Sequence, residues 1–282
     1  MQKRKIGVVG AGTMGNGIAQ AFAVAGIDVV MSDIGEAQVQ RGLATISGSL
    51  DRLIKKEKMS AADKDAALAR IATTTDMKTL ADCDLIIEAA TENLDLKLKI
   101  FAQLDALAGP DTVLASNTSS ISITKLAAST KRADKVIGMH FFNPVPMMAL
   151  VELIRGLQTS DTTYALAEEL SRAVGKTPVQ VKNSPGFVVN RLLCPMINEA
   201  IFALGEGLAT AAEIDEAMKL GANHPIGPLA LADLIGLDVQ LAVMQVLFEG
   251  FKDPKYRPAP LLVEMVEAGY LGRKTGRGFF AY

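Results

Sequence analysis

Ile6-Gly7-Val8-Val9-Gly10-Ala11-Gly12-Thr13-Met14-Gly15 (IGVVGAGTMG) decides the fold of this chain. Its first half is a β-branched run ending in glycine, the signature of a strand buried on both faces. Small and apolar residues from Thr13 to Ala25 read as a helix, Gly26 falls where a left-handed C-cap belongs, and Ile27 to Met31 begins a second strand. Set between strand and helix, Gly10, Gly12 and Gly15 form a GxGxxG turn. The first glycine permits the tight turn, the second lets the backbone approach a pyrophosphate, and the third allows close helix packing. Thr13 and Met14 open a helix whose unpaired N–H groups favour an anion. Asp33 ends the second strand, where a carboxylate accepts from a ribose hydroxyl; the alternative is a solvated strand-end acid. A carboxylate there repels a 2′-phosphate and Ile34 supplies no compensating arginine, so NAD is expected over NADP.

The alternation continues outward. Glu36 to Lys58 is amphipathic, and Ser60 with Asp63 matches a capping box that opens another helix. Further strands are expected at Asp84 to Ala90, Thr112 to Ser116 and Lys135 to Phe141, with helical segments at Lys97 to Leu107 and Ser122 to Ser129. Leu150 to Ile154 and Pro178 to Val181 complete the series. Strands alternating with helices predict an α/β, Rossmann-type doubly wound and mostly parallel sheet. Past Asn183-Ser184-Pro185-Gly186 the β-branched runs give way to Leu, Met and Ala at helical spacing: Leu192 to Leu208, Ala211 to Leu220, Leu229 to Phe248 and Pro260 to Ala268. A boundary near Ser184 is therefore expected, with a nucleotide-binding domain over 1–184 and a smaller all-α domain over 185–282. Pro195, inside a helical pattern, predicts a kink or break.

Composition narrows the function classes. Apolar residues at 49% and charged residues at 21% fit a folded globular chain and exclude a disordered or collagenous one. A net charge of −2 offers no global field for nucleic acid or an anionic membrane. Lys3, Arg4 and Lys5 before the uncharged stretch Ile6 to Ile27 imitate a signal peptide or short span. That stretch holds Thr13, Asn16, Gln20 and six glycines, too polar for a span. The two cysteines, Cys83 and Cys194, form neither a CxxC nor a metal-ligand cluster, so no metal site is expected and a reducing cytoplasm fits.

Only two histidines are available for proton transfer near neutral pH. His140 closes a strand at the sheet edge where ligands collect, whereas His224 lies in the loop Gly221-Ala222-Asn223-His224-Pro225 and serves equally as a cap. Glu152 shares a strand face with Leu150 and Ile154, so it needs a partner. Across the Asn143 to Pro146 loop that partner is the far nitrogen of His140; Arg155 or Arg191 are the alternatives. Ser119, in Asn117-Thr118-Ser119-Ser120, and Asn190 are ordinary turn and cap residues alone, yet a reacting oxygen held by a histidine also needs such neutral donors. Arg52, Lys55, Lys56 and Lys58 form either a solvated face or a polyphosphate anchor.

Taken in order, IGVVGAGTMGNGIAQ, ASNTSS, GMHFFNPVPMMALVE, PGFVVNR, NHPIGPLALADLIGLD and LGRKTGRGFF resemble the L-3-hydroxyacyl-CoA dehydrogenase family over nearly the whole chain, its short-chain bacterial 3-hydroxybutyryl-CoA members most of all. The resemblance implies interconversion of an (S)-3-hydroxyacyl-CoA, of four carbons by preference, and the 3-oxoacyl-CoA, with NAD as cofactor. It further implies a helical domain that mediates a homodimer, with substrate in the cleft between domains. His140 would be the general base, Glu152 its orienting carboxylate, and Ser119 and Asn190 the contacts of the reacting oxygen. Asn143 would help shape that site. Asp33 would hold the adenosine ribose, Glu92 and Lys97 would lie near the nicotinamide, and Asn117 would join the cofactor set. Arg52 and Lys56 would meet the phosphates of coenzyme A. Two rivals remain: a dehydrogenase of the same fold for a free hydroxy or sugar acid, and a non-catalytic NAD-binding protein.

Overall fold

A computed structural model describes residues 4–282; Lys3, one of the basic residues noted above, lies outside them. The chain divides into two compact units, with the division between Ser184 and Pro185.

The first unit is built on one eight-stranded sheet of order β3-β2-β1-β4-β5-β6-β7-β8. Its strands are β1 (Lys5–Val9), β2 (Asp28–Ser32), β3 (Ile71–Thr74), β4 (Leu85–Glu88), β5 (Val113–Ser116), β6 (Val136–Phe141), β7 (Leu150–Arg155) and β8 (Thr177–Lys182). Helices α1 (Thr13–Val24), α2 (Glu36–Lys55), α3 (Ala61–Ala69), α4 (Leu94–Leu107), α5 (Ile123–Ala127) and α6 (Asp161–Ala173) connect them. Neighbours run parallel except β6 and β7, which are antiparallel with His140 opposite Glu152. β4, β5 and β6 are buried at every position, as continuous apolar strands covered on both faces must be. Ile6, Val8, Phe22, Met31, Leu85, Ile137 and Phe141 belong to the main core of this unit.

Two elements of this unit carry weak sequence signals. β3 is four residues at the sheet edge with only Ile71 buried, so no apolar run marks it. α6 is polar overall and capped by Ser160, yet the parallel pairing of β7 with β8 requires a crossover of this kind. At α3 both halves of the Ser60–Asp63 capping box are present.

The second unit contains α7 (Val189–Gly205), α8 (Ala211–Gly221), α9 (Pro228–Ile235), α10 (Leu237–Phe251) and α11 (Pro260–Glu267). Ile197, Ile201, Leu229, Leu237 and Leu262 form its core. α7 continues through Pro195 without a break. The break falls instead inside the stretch expected to be helical from Leu229 to Phe248: Gly236 adopts φ +102° and α9 meets α10 at 98°. Buried Asp215 accepts from Leu229 N–H and Ala230 N–H, and buried Asp233 accepts from Phe279 N–H, Phe280 N–H and the Tyr282 hydroxyl. These carboxylates cap α9 and fix the last residues of the chain. No single helix among the described residues is long and apolar enough to cross a membrane.

Candidate active site

In parallel α/β sheets, ligands bind beyond the carboxyl ends of the strands. Register places Val9, Glu88 and Ser116 level with one another and Gly138 beside Ser116. His140 therefore stands about 7 Å further along, at the same edge.

The glycine turn occupies one end of this edge. Gly10 has φ +102°, and a Cβ there would lie 2.7 Å from Ala89 O. A Cβ on Gly15 would lie 1.7 Å from Gly10 O, so only glycine lets α1 start this close to the strand end. No side chain caps α1 at Gly12, where an added Cβ would meet open space. The orphan N–H groups of the first turn thus border room for an anion. Asp33 accepts from Ala11 N–H at 2.8 Å and Ile34 N–H at 2.7 Å, which ties the glycine turn to the end of β2. A groove of about 340 Å³ runs here between Gly12, Thr13 and Asp33 on one side and Gln38, Arg41 and Thr45 of α2 on the other. Open space at Gly12, an uncapped helix start and a carboxylate beside them fit a dinucleotide. Arg41 corrects the sequence reading: it lies eight residues past Asp33 along the chain yet lines the same groove.

His140 and Glu152 are 6% and 1% exposed, and Nδ1 lies 2.7 Å from Glu152 Oε2. An ionised carboxylate only accepts, so in the neutral imidazole this contact places the proton on Nδ1 and the lone pair on Nε2. The Phe142 ring lies 4.4 Å from the imidazole, centroid to centroid. Arg155, the other candidate partner in this unit, pairs with Asp161 at 2.7 Å.

Between these features lies a polar network. Asn117 N–H donates to Glu88 O at 2.8 Å, while Asn117 Oδ1 accepts from Phe141 N–H at 2.9 Å, joining the end of β5 to the residue after His140. Glu92 accepts from Ser119 N–H at 2.6 Å and from the Ser119 hydroxyl at 2.7 Å. Lys97 is 2% exposed and lies 2.6 Å from Glu88 and 3.7 Å from Glu92. The structure thus brings Ser119, Glu92, Lys97 and Asn117 together. Glu88, fully buried at the end of β4, was not singled out from sequence; the signal was a lone acid closing an apolar strand.

Other candidates are dispersed. Asn143 is exposed in the loop between β6 and β7, and its peptide bond to Pro144 is cis. Buried Lys176 holds that loop by donating to Val145 O at 2.5 Å and Met148 O at 2.8 Å, and its burial pushes the ammonium below the usual lysine range. Arg52 and Lys56 are exposed at the end of α2, without ion-pair partners among the described residues. Met14 packs partly against the core. Asn190 is in the first turn of α7, and His224 follows α8, its N–H donating to Met218 O. Burial pushes the Cys83 and Cys194 thiols up to about 12, which leaves both unreactive.

Comparison with known proteins matches both units. The family model for the NAD-binding domain of 3-hydroxyacyl-CoA dehydrogenase covers residues 5–184, and that for the C-terminal domain covers 186–282. A 3-hydroxybutyryl-CoA dehydrogenase of Bradyrhizobium diazoefficiens is 54% identical over 99% of this chain and 95% of its own. The crystal structure of an (S)-3-hydroxybutyryl-CoA dehydrogenase from Ralstonia eutropha superposes with a TM-score of 0.97 at 69% identity, covering 100% of this chain and 99% of that one. An NAD-dependent dismutase, 5-formyl-3-hydroxy-2-methylpyridine 4-carboxylic acid 5-dehydrogenase, shares the architecture at a TM-score of 0.80 and 33% identity, covering 99% of this chain and 91% of that one. With a glycine turn suited to a dinucleotide and both domain models matched end to end, the chain belongs to the 3-hydroxyacyl-CoA dehydrogenase family and is an NAD-dependent dehydrogenase.

Proposed function

We propose that the protein interconverts (S)-3-hydroxybutyryl-CoA and acetoacetyl-CoA, with His140 and Glu152 as the acid–base pair. The observation that carries this reading is the 2.7 Å contact between Glu152 and His140 Nδ1, which leaves Nε2 as a base at the ligand edge of the sheet. Bound NAD supplies the hydride acceptor for oxidation, and its reduced form supplies the donor for the reverse. In oxidation His140 Nε2 takes the hydroxyl proton while Glu152 stabilises the imidazolium; in reduction Nε2 returns that proton to the carbonyl oxygen. Ser119 and Asn190 hydrogen-bond the same oxygen. Ser119 has a single hydroxyl proton, now given to Glu92, so donating to a carbonyl requires that bond to open. Asp33 accepts from the adenosine ribose, Asn117 and Asn143 complete the cofactor side, and Arg52 and Lys56 hold coenzyme A phosphates.

The 33% identical dismutase, whose substrate is named as a free acid, makes thioester recognition the point to test. Oxidation of NADH is expected with acetoacetyl-CoA, not with free acetoacetate, and with NADPH only weakly. Replacing Arg52 and Lys56 with alanine is expected to raise KM for the thioester roughly tenfold, as loss of two charge-assisted contacts would. Turnover of the free acid, or an unchanged KM in that variant, would show that no coenzyme A anchor exists.

The second unit exposes Leu192, Leu208 and Leu220 at 68%, 78% and 79%, which supports a homodimer built on its helices. Sedimentation at micromolar concentration is expected to give twice the chain mass; a monomer there refutes it.

A further inference from the structure

We infer that Glu88 is the positioning residue of the cofactor site: its carboxylate sets the Lys97 ammonium at the nicotinamide end. The inference rests on the reading above that Lys97 serves that end.

Glu88 is the last residue of β4 and is 0% exposed. An ionised carboxylate so placed has to be paired and hydrogen-bonded to offset its lost hydration. Oε1 accepts from Ala90 N–H at 2.9 Å, and Oε2 accepts from Lys97 Nζ at 2.6 Å and from the Ser116 hydroxyl at 2.9 Å. The Ser116 oxygen in turn accepts from Thr118 N–H at 3.2 Å. One side chain therefore ties together the end of β4, the first turn of α4 and the loop after β5.

A surface lysine needs none of this. Lys97 is 2% exposed, and the other acid paired with it among the described residues, Glu92, lies at 3.7 Å and is already shared with Thr118 and Ser119. The alkyl stem of lysine has four rotatable bonds, so a buried ammonium keeps one place only where a fixed anion holds it. Buried ion pairs contribute little net stability, because desolvation offsets the attraction. Retaining one at the carboxyl edge of the sheet, where the cofactor binds, points to placement of charge rather than strengthening of the core. Among the described residues no hydrogen bond or ion pair joins the Glu88 carboxylate to the cofactor groove beside Asp33; it acts through Lys97, not as a catalytic residue.

The test is a double-mutant cycle on the full-length enzyme, read by NADH binding through its fluorescence and by thermal melting. Glu88→Gln and Lys97→Met are each expected to weaken NADH roughly tenfold, the scale of one hydrogen bond to a charged group. In the Lys97→Met background, Glu88→Gln is expected to cost less than about twofold more, since both changes remove one interaction. KM for acetoacetyl-CoA is expected to stay within about twofold, a split that general loosening of the fold would not give. Glu88→Asp keeps the charge but withdraws it by one methylene, and is expected to fall between wild type and Glu88→Gln. It carries the test if the glutamine variant does not fold. Additive effects, or a folded Glu88→Gln or Glu88→Asp enzyme binding NADH as tightly as wild type, overturn the inference. If Lys97→Met itself leaves NADH binding unchanged, the placement of Lys97 at the cofactor fails first, a distinct result.

Discussion

His140→Ala is expected to lower kcat for acetoacetyl-CoA reduction on the order of 10²- to 10⁴-fold, the usual contribution of a positioned acid–base group. NADH affinity should remain within about twofold of wild type. The two readouts separate because the imidazole stands at the end of β6, while the groove holding Asp33 and Gly12 is bordered by α1 and α2. Alanine also leaves Glu152, 1% exposed, without its imidazole partner, so the melting temperature should fall by several degrees. A kcat within threefold of wild type, in a folded variant, would remove His140 from the chemistry. His224 would then be the remaining imidazole, although its backbone closes the turn after α8 onto Met218 O.

Legibility in the sequence followed the strength of the physical constraint. IGVVGAGTMG reads as strand, turn and helix because its glycines answer close approaches that allow no Cβ, 1.7 Å at Gly15 and 2.7 Å at Gly10. The buried strands β4, β5 and β6 were equally readable, because strands covered on both faces read as near-continuous apolar runs. β3 was not, since an edge strand of four residues with only Ile71 buried carries no such run. In the second unit, composition indicated helix from Leu229 to Phe248 but not the turn within it. Both arms are apolar, and only the positive φ of Gly236 ends one and starts the other. At the site, His140 stood out as one of two histidines and the one closing a strand at the ligand edge, and Glu152 because it breaks an apolar strand. Lone strand-end acids such as Glu88 carry the same mark, but their partners lie on other elements: Lys97 is nine residues away on α4 and Ser116 on β5. Arg41 escaped because a helix brings residues several positions apart onto one wall, which adjacency in the chain does not show.

Glu152→Gln is the more discriminating change at the proposed acid–base pair, because it removes charge while keeping shape. The glutamine side chain presents either its oxygen or its NH₂ to His140 Nδ1. With the oxygen facing, Nδ1 keeps its proton and Nε2 its lone pair, but the imidazolium formed as the hydroxyl proton arrives has lost its counter-charge in a buried site. With the NH₂ facing, Nδ1 must accept, the proton moves to Nε2, and the base is in the wrong tautomer. Both arrangements slow turnover, and the expected loss in kcat is on the order of 10²- to 10⁴-fold. Stability should change little, since a neutral amide in place of a buried carboxylate still hydrogen-bonds the ring and avoids an ion's desolvation cost. Glu152→Asp retains the charge but draws it back from a contact now 2.7 Å long, and should recover part of the loss. Steady-state kinetics beside thermal melts decide the matter. If Glu152→Gln turns over at the wild-type rate, the contact is a packing feature of two antiparallel strands and His140 needs no carboxylate. If it melts far below wild type yet turns over normally, the pair holds β6 to β7 rather than serving the reaction.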